Sequence, residues 1–168
     1  MADAMDDRKA LLDLLLAEEG LETDVELALV ARDDPEAPAA LSFAQQRLWF
    51  LDQLEPGGAA YTVPGALRLR GDLDRAALRL AWQALGDRHD LLRTVFVAEG
   101  DEPVAELRPD MPVAWAEEDL SEQGADAQEL AVGERLIEEA AAPFALADGP
   151  LLRARLLRLS EWEHVLAV

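Results

Sequence analysis

The stretch "LSFAQQRLWFLDQLEP", residues 41–56, has the apolar spacing of an amphipathic helix. Ser42 is a good N-cap, and the pattern predicts a helix that runs to about Leu54. Four large apolar residues lie broadly on one side of it, with Trp49 and Phe50 nearby: Phe43, Leu48, Leu51 and Leu54. Two adjacent glutamines and Arg47, expected to be buried, interrupt this face. Spacing alone favours an interface helix whose polar groups satisfy neighbouring loops, with an active-site helix as the alternative.

A second unusual stretch is "RHDLLRTVF", residues 88–96. His89 lies between Arg88 and Asp90, so one interpretation is an acid–base group with a tuned pKa. The other is that Arg88 and His89 close a helix at its negative end, and that the next strand begins at about Arg93. The structural interpretation is favoured, because such clusters more often end helices than perform catalysis.

The remaining elements alternate between helix and strand. A strand is predicted in "TVPGALRLRG", and the next helix starts at Asp72 or Asp74 with an apolar stripe of Leu73, Ala77, Leu80, Ala81 and Leu85. A hairpin follows in "LLRTVFVAEGDEPVAELRP" and a short strand in "VAWAEEDL". A helix stopped by Pro143 precedes strands in "LLRARLLRL" and "EHVLAV". This order predicts an α/β layered sandwich with a mixed sheet rather than a strict βαβ repeat.

Residues 1–40 form a separable leader in this interpretation. Its first helix has an apolar face of Leu11, Leu12, Leu15 and Leu16, and residues 23–32 suit either a short strand or a second helix. The leader holds 12 acidic and 3 basic residues, so its formal charge is 3 − 12 = −9. Such a helix could dock a partner with charge setting specificity, or pack on its own domain. The sequence leaves both possibilities open.

Composition excludes several functional classes. The 168-residue chain has a formal charge of −20, which disfavours binding to nucleic acid or to anionic membranes. It has no cysteine and only two histidines, His89 and His164, so no metal site is expected. Neither a basic signal-peptide region nor a membrane span is evident, so we expect a soluble cytoplasmic protein. The carboxylate pairs Glu117–Glu118 and Glu138–Glu139 are interpreted as solvated faces, and no nucleophile motif is present.

The two unusual stretches together resemble the first two core motifs of nonribosomal peptide synthetase condensation domains. The first motif runs Ser-x-Ala-Gln-x-Arg-Leu-Trp-x-Leu, and it is matched by Ser42, Ala44, Gln45, Arg47, Leu48, Trp49 and Leu51. The second runs Arg-His-Glu-x-Leu-Arg-Thr-x-Phe, and it is matched by Arg88, His89, Leu92, Arg93, Thr94 and Phe96. Asp90 replaces the usual Glu and keeps its charge. The resemblance covers residues 41–168.

The resemblance implies a chloramphenicol acetyltransferase-like fold, of which residues 41–168 would form the N-terminal lobe. In this family two lobes enclose a tunnel, and carrier proteins bring thioesters on phosphopantetheine arms that the domain itself does not bind as a cofactor. An amine then attacks the donor thioester to form an amide. A chain that starts some 40 residues before the first motif implies a donor carrier on another polypeptide.

Catalysis in the resembled family depends on a third motif, His-His-x-x-x-Asp-Gly, which this sequence lacks. His164 matches neither of its histidines. The resemblance therefore implies that no residue here is catalytic, that the two matched motifs form scaffold, and that the lobe needs a complementary C-terminal lobe. The alternatives are a non-catalytic half-domain that binds a carrier or a complementary lobe, and a CoA- or carrier-dependent acyltransferase of the same superfamily.

Overall fold

The computed structural model describes residues 34, 37–100 and 102–168. The leucine face at residues 11–16 and the strand-or-helix segment at residues 23–32 lie outside the described residues. In chain order the elements are β1 (Ala39–Ala40), α1 (Phe43–Leu54), β2 (Ala66–Arg70), α2 (Arg75–Arg88), a 3-10 turn (Asp90–Arg93), β3 (Thr94–Glu99), β4 (Glu102–Leu107), β5 (Ala114–Asp119), α3 (Ala125–Ala141), β6 (Arg153–Arg158) and β7 (Glu163–Ala167). Every element predicted between residues 42 and 168 is present.

The strands form two sheets. The first has the order β1-β4-β3 and is antiparallel, so the last two residues of the predicted leader, Ala39 and Ala40, pair with the hairpin. The second has the order β2-β7-β6-β5. Its β5 and β6 are parallel and are joined through α3, as parallel neighbours require a crossover, whereas its other pairs are antiparallel. The predicted mixed sheet is confirmed.

Two helices cover opposite faces of the four-stranded sheet. Leu156 and Leu157 are consecutive in β6, so their side chains point to opposite faces. Leu157 belongs to a buried cluster that includes Val132 of α3, and Leu156 belongs to one against which Leu78 and Trp82 of α2 pack. The layers are therefore helix, sheet and helix, which is the predicted layered sandwich.

The predicted stripe of α2 is wrong in part. Leu80 is 71% exposed and Leu85 is 40% exposed. The buried face instead follows Leu78, Trp82 and Gly86, which are four residues apart. The indole of Trp82 donates to the carbonyl of Ala114, which sets the rotation of the helix. The predicted stripe consists of leucines and alanines and omits Trp82, the aromatic side chain that anchors the helix.

Helix α1 has the predicted bounds but not the predicted burial. Ser42 caps it in a capping box, in which its side chain accepts from the N–H of Gln45 and its own N–H donates to the Gln45 side chain. No residue of α1 is buried, and Phe43 is 91% exposed. Arg47, expected inside, is exposed. The apolar face is present, but the described part of the chain covers only one side of it.

Candidate functional site

A cavity of about 730 Å³ lies beside α1. Its walls are the inner side of α1, the loop at residues 58–64, the loop at residues 142–152, Phe96 of β3, and Val168, which follows β7. Most of the lining is apolar, including Leu48, Trp49, Leu51, Phe144, Leu146 and Leu151. A cavity of this size with apolar walls and a few polar groups is typical of ligand-binding sites.

The polar part of the wall is concentrated on the α3 side. Glu139 and Arg153 both line the cavity, and their carboxylate and guanidinium groups are 2.9 Å apart. Their side chains are only 16% and 21% exposed. A paired, half-buried charge is held in one geometry, so it fixes the local wall instead of attracting an ion from solvent.

The first motif is divided between cavity and surface. Its residues that line the cavity are Gln45, Leu48, Trp49 and Leu51. The other matched residues have other places: Ser42 caps α1, and Ala44 and Arg47 are exposed. Beside the motif, Gln46 donates to the carbonyl of Leu41. The inner half of the motif therefore faces the cavity, and the outer half faces away from it.

The second motif ties α2 to the hairpin through Arg93. The guanidinium donates to the carbonyls of Gly86 (3.0 Å), Asp87 (3.2 Å) and Pro109 (2.6 Å). It also forms an ion pair with Asp90 at 2.8 Å. One side chain therefore connects the end of α2, the 3-10 turn and the segment after β4.

The other residues of the second motif lie between the end of α2 and the middle of β3. Thr94, the first residue of β3, is buried and donates its hydroxyl to the carbonyl of Asp90 at 2.8 Å. Arg88 lies in the last turn of α2, and His89 is its C-cap, as the helix-closing interpretation predicts. Leu92 is half-buried, and Phe96 reaches the cavity. The His89 side chain is exposed and does not line that cavity.

Charged side chains between α3 and the sheet form an ion-pair ladder that the sequence interpretation missed. The pairs are Arg153–Glu139 at 2.9 Å, Arg155–Glu139 at 2.7 Å, Arg155–Glu118 at 3.6 Å and Arg135–Glu118 at 2.8 Å. Hydrogen bonding from Arg135 lowers the pKa of the Glu118 carboxyl. Glu118 and Glu139 are therefore not the solvated carboxylates that the sequence predicted, because arginines from other elements reach them.

His164 is a second feature without a clear sequence signal. It is 2% exposed, and neither ring nitrogen has a hydrogen-bond partner among the described residues. It shares the α2 side of the sheet with Leu166, because residues two apart in a strand face the same way. Burial lowers the pKa of its imidazole. The alternation of His164, Leu166 and Val168 is the one sequence signal that could have placed it inside.

Other site classes find no support in the described part of the chain. No group of three or more His, Asp or Glu side chains among the described residues is placed to hold a metal ion. Over the same residues, no helix has the length and hydropathy needed to cross a bilayer. The cavity and the motif junction beside it are the site that the geometry offers.

Comparison with known proteins identifies this lobe. The model of the Condensation domain family matches residues 36–168. Phosphinothricin tripeptide synthetase PhsC of Streptomyces viridochromogenes is 42% identical over 139 residues, which are 83% of this chain and 13% of that protein. Tyrocidine synthase 2 of Brevibacillus parabrevis is 39% identical over 139 residues, 83% of this chain and 4% of that protein.

Solved structures agree in fold. The first condensation domain of the calcium-dependent antibiotic synthetase superposes with a TM-score of 0.71 at 25% identity, over 78% of this chain and 32% of that chain. The starter condensation domain of rhizomide synthetase RzmA gives a TM-score of 0.70 at 24% identity, over 78% and 31%.

The layered α/β lobe with its two motifs is thus of the class found in nonribosomal peptide synthetases. The chain belongs to the condensation-domain family. It spans about a third of the solved domains that it matches and a much smaller share of the curated synthetases.

Proposed function

We propose that residues 41–168 act as the N-terminal lobe of a domain that joins two carrier-bound thioesters through an amide bond. The observation that carries this proposal is that both motifs reach one cavity. Trp49 of the first motif and Phe96 of the second line the same space, although they are 47 positions apart in the chain. Motifs that border one cavity suit a shared role in shaping a substrate channel.

The proposed reaction has a simple balance. The amine of the acceptor aminoacyl thioester attacks the carbonyl of the donor thioester, a C–N bond forms and the C–S bond breaks. The amine proton must leave, and the donor sulfur departs as the free thiol of its phosphopantetheine arm. A positioned base is worth about 10²–10⁴-fold in such a proton transfer.

This lobe contributes the wall of the site and not its base. The cavity lining includes neither His89 nor His164. We assign six motif residues to the scaffold: Arg47, Trp49, Arg88, His89, Arg93 and Thr94. Arg93 gives the strongest support, because its guanidinium donates hydrogen bonds to four acceptors within the protein. The base would come from a complementary C-terminal lobe, which would also close the cavity and orient the two substrates.

The exposed apolar side of α1 is the surface that we assign to that complementary lobe. Phe43, Phe50 and Leu54 are 91%, 57% and 63% exposed, and Val63 in the following loop is 89% exposed. The spacing of Phe43, Phe50 and Leu54 places them on one face of α1, and exposed apolar surface of this kind marks an interaction site in proteins. Covering it would bury apolar area and enclose the cavity in the same step.

For residues 1–40 we propose docking of an upstream carrier that arrives on another cytoplasmic polypeptide. The support is the leucine face at Leu11, Leu12, Leu15 and Leu16 together with the charge of −9. Deleting residues 1–35 should leave the thermal midpoint of the lobe unchanged and weaken carrier binding. An unchanged affinity for the carrier would refute the docking role.

The proposal is tested by complementation in trans. The chain is mixed with the portion of the PhsC condensation domain that follows the matched region, and binding is measured by calorimetry. We expect a one-to-one complex whose affinity falls when Phe43 and Val63 are both replaced by Ser. A matched control replaces Leu80 and Leu130, which are each 71% exposed but lie on α2 and α3, and it should leave the affinity unchanged. Binding of a loaded carrier without the complementary portion would favour a non-catalytic interaction module instead.

A further inference from the structure

The loop at residues 142–152 supplies one wall of the cavity, yet it contains no helix or strand. Phe144, Leu146 and Leu151 of this loop face the cavity. A backbone hydrogen bond joins the loop to β3, in which the N–H of Phe96 donates to the carbonyl of Leu146 at 2.8 Å. Backbone hydrogen bonds from Asp148 and Gly149 to Ala145 shape the middle of the loop, and its start is held by a side chain.

Arg153, the first residue of β6, contacts the start of the loop with its whole guanidinium. Nη2 donates to the carbonyls of Glu139 at 2.7 Å and Ala142 at 2.6 Å, and Nη1 donates to the carbonyl of Pro143 at 3.3 Å. Its Nε lies 2.9 Å from the Glu139 carboxylate. The guanidinium carbon is 4.1 Å from the centre of the Phe144 ring, in cation–π geometry.

These contacts satisfy backbone carbonyls at the end of α3. The last carbonyls of a helix have no partner within the helix and carry partial negative charge. A planar guanidinium can donate to several of them at once and stack on a ring, whereas an ammonium group offers only a compact point charge. Arg153 thus joins the end of α3, the loop and β6 through one rigid group.

We propose that Arg153 is a positioning residue that holds the 142–152 loop as a fixed wall of the cavity. In this role the fork of the guanidinium matters more than its charge, because charge alone would pair with Glu139 without reaching the carbonyls or the Phe144 ring. The role goes beyond the proposed function, since it concerns the shape of the cavity whichever substrate or partner fills it.

Amide hydrogen exchange on the full 168-residue chain tests this directly. The Phe96 amide reports whether the loop is in place, and the Leu159 amide, bonded to Glu163 at 2.9 Å, reports on the opposite end of β6. In Arg153→Met we expect the Phe96 amide to exchange about tenfold faster or more, because charge-assisted hydrogen bonds hold the loop closed. The exchange of Leu159 should stay close to that of the parent chain.

Arg155→Met is the matched control. Arg155 pairs with the same Glu139 carboxylate at 2.7 Å and is 28% exposed, but it does not line the cavity. We expect exchange at Phe96 to be unchanged in this variant. Arg153→Lys keeps the charge without the fork, and it should accelerate Phe96 exchange almost as much as Arg153→Met.

Two results would overturn the inference. One is Phe96 exchange at the parent rate in Arg153→Met, and the other is full restoration by Arg153→Lys, which would assign the effect to charge alone. If Arg153→Met fails to fold, Arg153→Lys and Phe144→Leu decide the matter with the same two amides. Neither result depends on whether the chain supports amide formation.

Discussion

The Nε atom of Arg93 lies 3.0 Å from the carbonyl oxygen of Gly86, the residue at which α2 packs against Val113 before β5. The second motif and the close contact between α2 and Val113 are therefore parts of one junction. Arg93 satisfies carbonyls at the end of α2, and Gly86 allows Val113 to approach the helix. Stability of this junction should depend on both residues.

Replacing Arg93 with Ala should lower the free energy of unfolding by about 1–3 kcal/mol, because the carbonyls of Gly86, Asp87 and Pro109 lose a charged donor. The side chain is 13% exposed and has four acceptors. Urea denaturation of the chain measures the effect. Arg88→Ala is the control, since Arg88 is exposed in the last turn of α2 and its favourable position at the helix end is worth only about 0.3–1 kcal/mol. Equal stability of the Arg93 and Arg88 variants would contradict the junction role.

Gly86→Ala should destabilise the lobe by about 1–3 kcal/mol through overpacking. A Cβ at this position would lie 2.5 Å from Cγ1 of Val113. Combining it with Val113→Ala should restore part of the loss, since the smaller side chain makes room. Gly133 in α3 is the matched control because a Cβ there meets no atom within 4 Å, so Gly133→Ala should stabilise the chain by about 0.5–1 kcal/mol.

Acidification from about pH 7 to about pH 5 should destabilise the lobe through His164. Burial lowers its pKa below 6.5, Arg75 and Arg158 lower it further, and Asp119 and Glu117 act in the opposite direction. As the pH falls, the unfolded chain binds a proton at His164 before the folded chain does. The contribution of His164 to the free energy of unfolding is therefore fully present above pH 6.5 and decreases below it.

The comparison with His164→Leu isolates this contribution. Glu118, Asp119 and Glu163 also have lowered pKa values because of hydrogen bonds from Arg135, Ser121 and Arg70 respectively. Their contribution is lost at lower pH, below their ordinary values of 4.5, 3.8 and 4.5, and both chains share it. The unfolding free energy of the parent minus that of the variant should therefore fall as the solution is acidified. A constant difference across that range would refute the prediction.

The chain by itself should associate through the exposed side of α1. Phe43, Leu54 and Val63 present apolar surface that the described residues leave uncovered. We expect light scattering to show dimers or larger species as the concentration rises. Replacing Phe43 and Val63 with Ser should shift the chain toward monomer, and a monomeric parent chain at high concentration would contradict this expectation.

The caps and strands of the lobe follow from local sequence, and long-range contacts account for what does not. Ser42 and Asp74 cap their helices because each is a short polar acceptor three residues before a free N–H. The rotation of α2 depends on Trp82, whose ring centre is 6.2 Å from that of Trp115. Spacing within a helix does not reveal a contact with a residue on a later strand.

The site shows the same division between local and distant information. The two motifs were recognisable because each is short and ordered, and the structure brings both to one cavity. Glu139 was misinterpreted because its partners, Arg153 and Arg155, come from a strand beyond the next loop. The exposure of α1 was not predictable either, since an apolar face predicts that a surface will be covered but not which part of a protein covers it.

The most direct test of the central claim is amide formation by a chimera. Residues 36–168 replace the corresponding part of the PhsC condensation domain, and loaded donor and acceptor carriers are added. Mass spectrometry of the acceptor carrier should show the mass of the joined product with the chimera and no product with the 168-residue chain alone. A folded chimera that binds both carriers but leaves the acceptor mass unchanged would contradict the assignment of this chain to an amide-forming lobe.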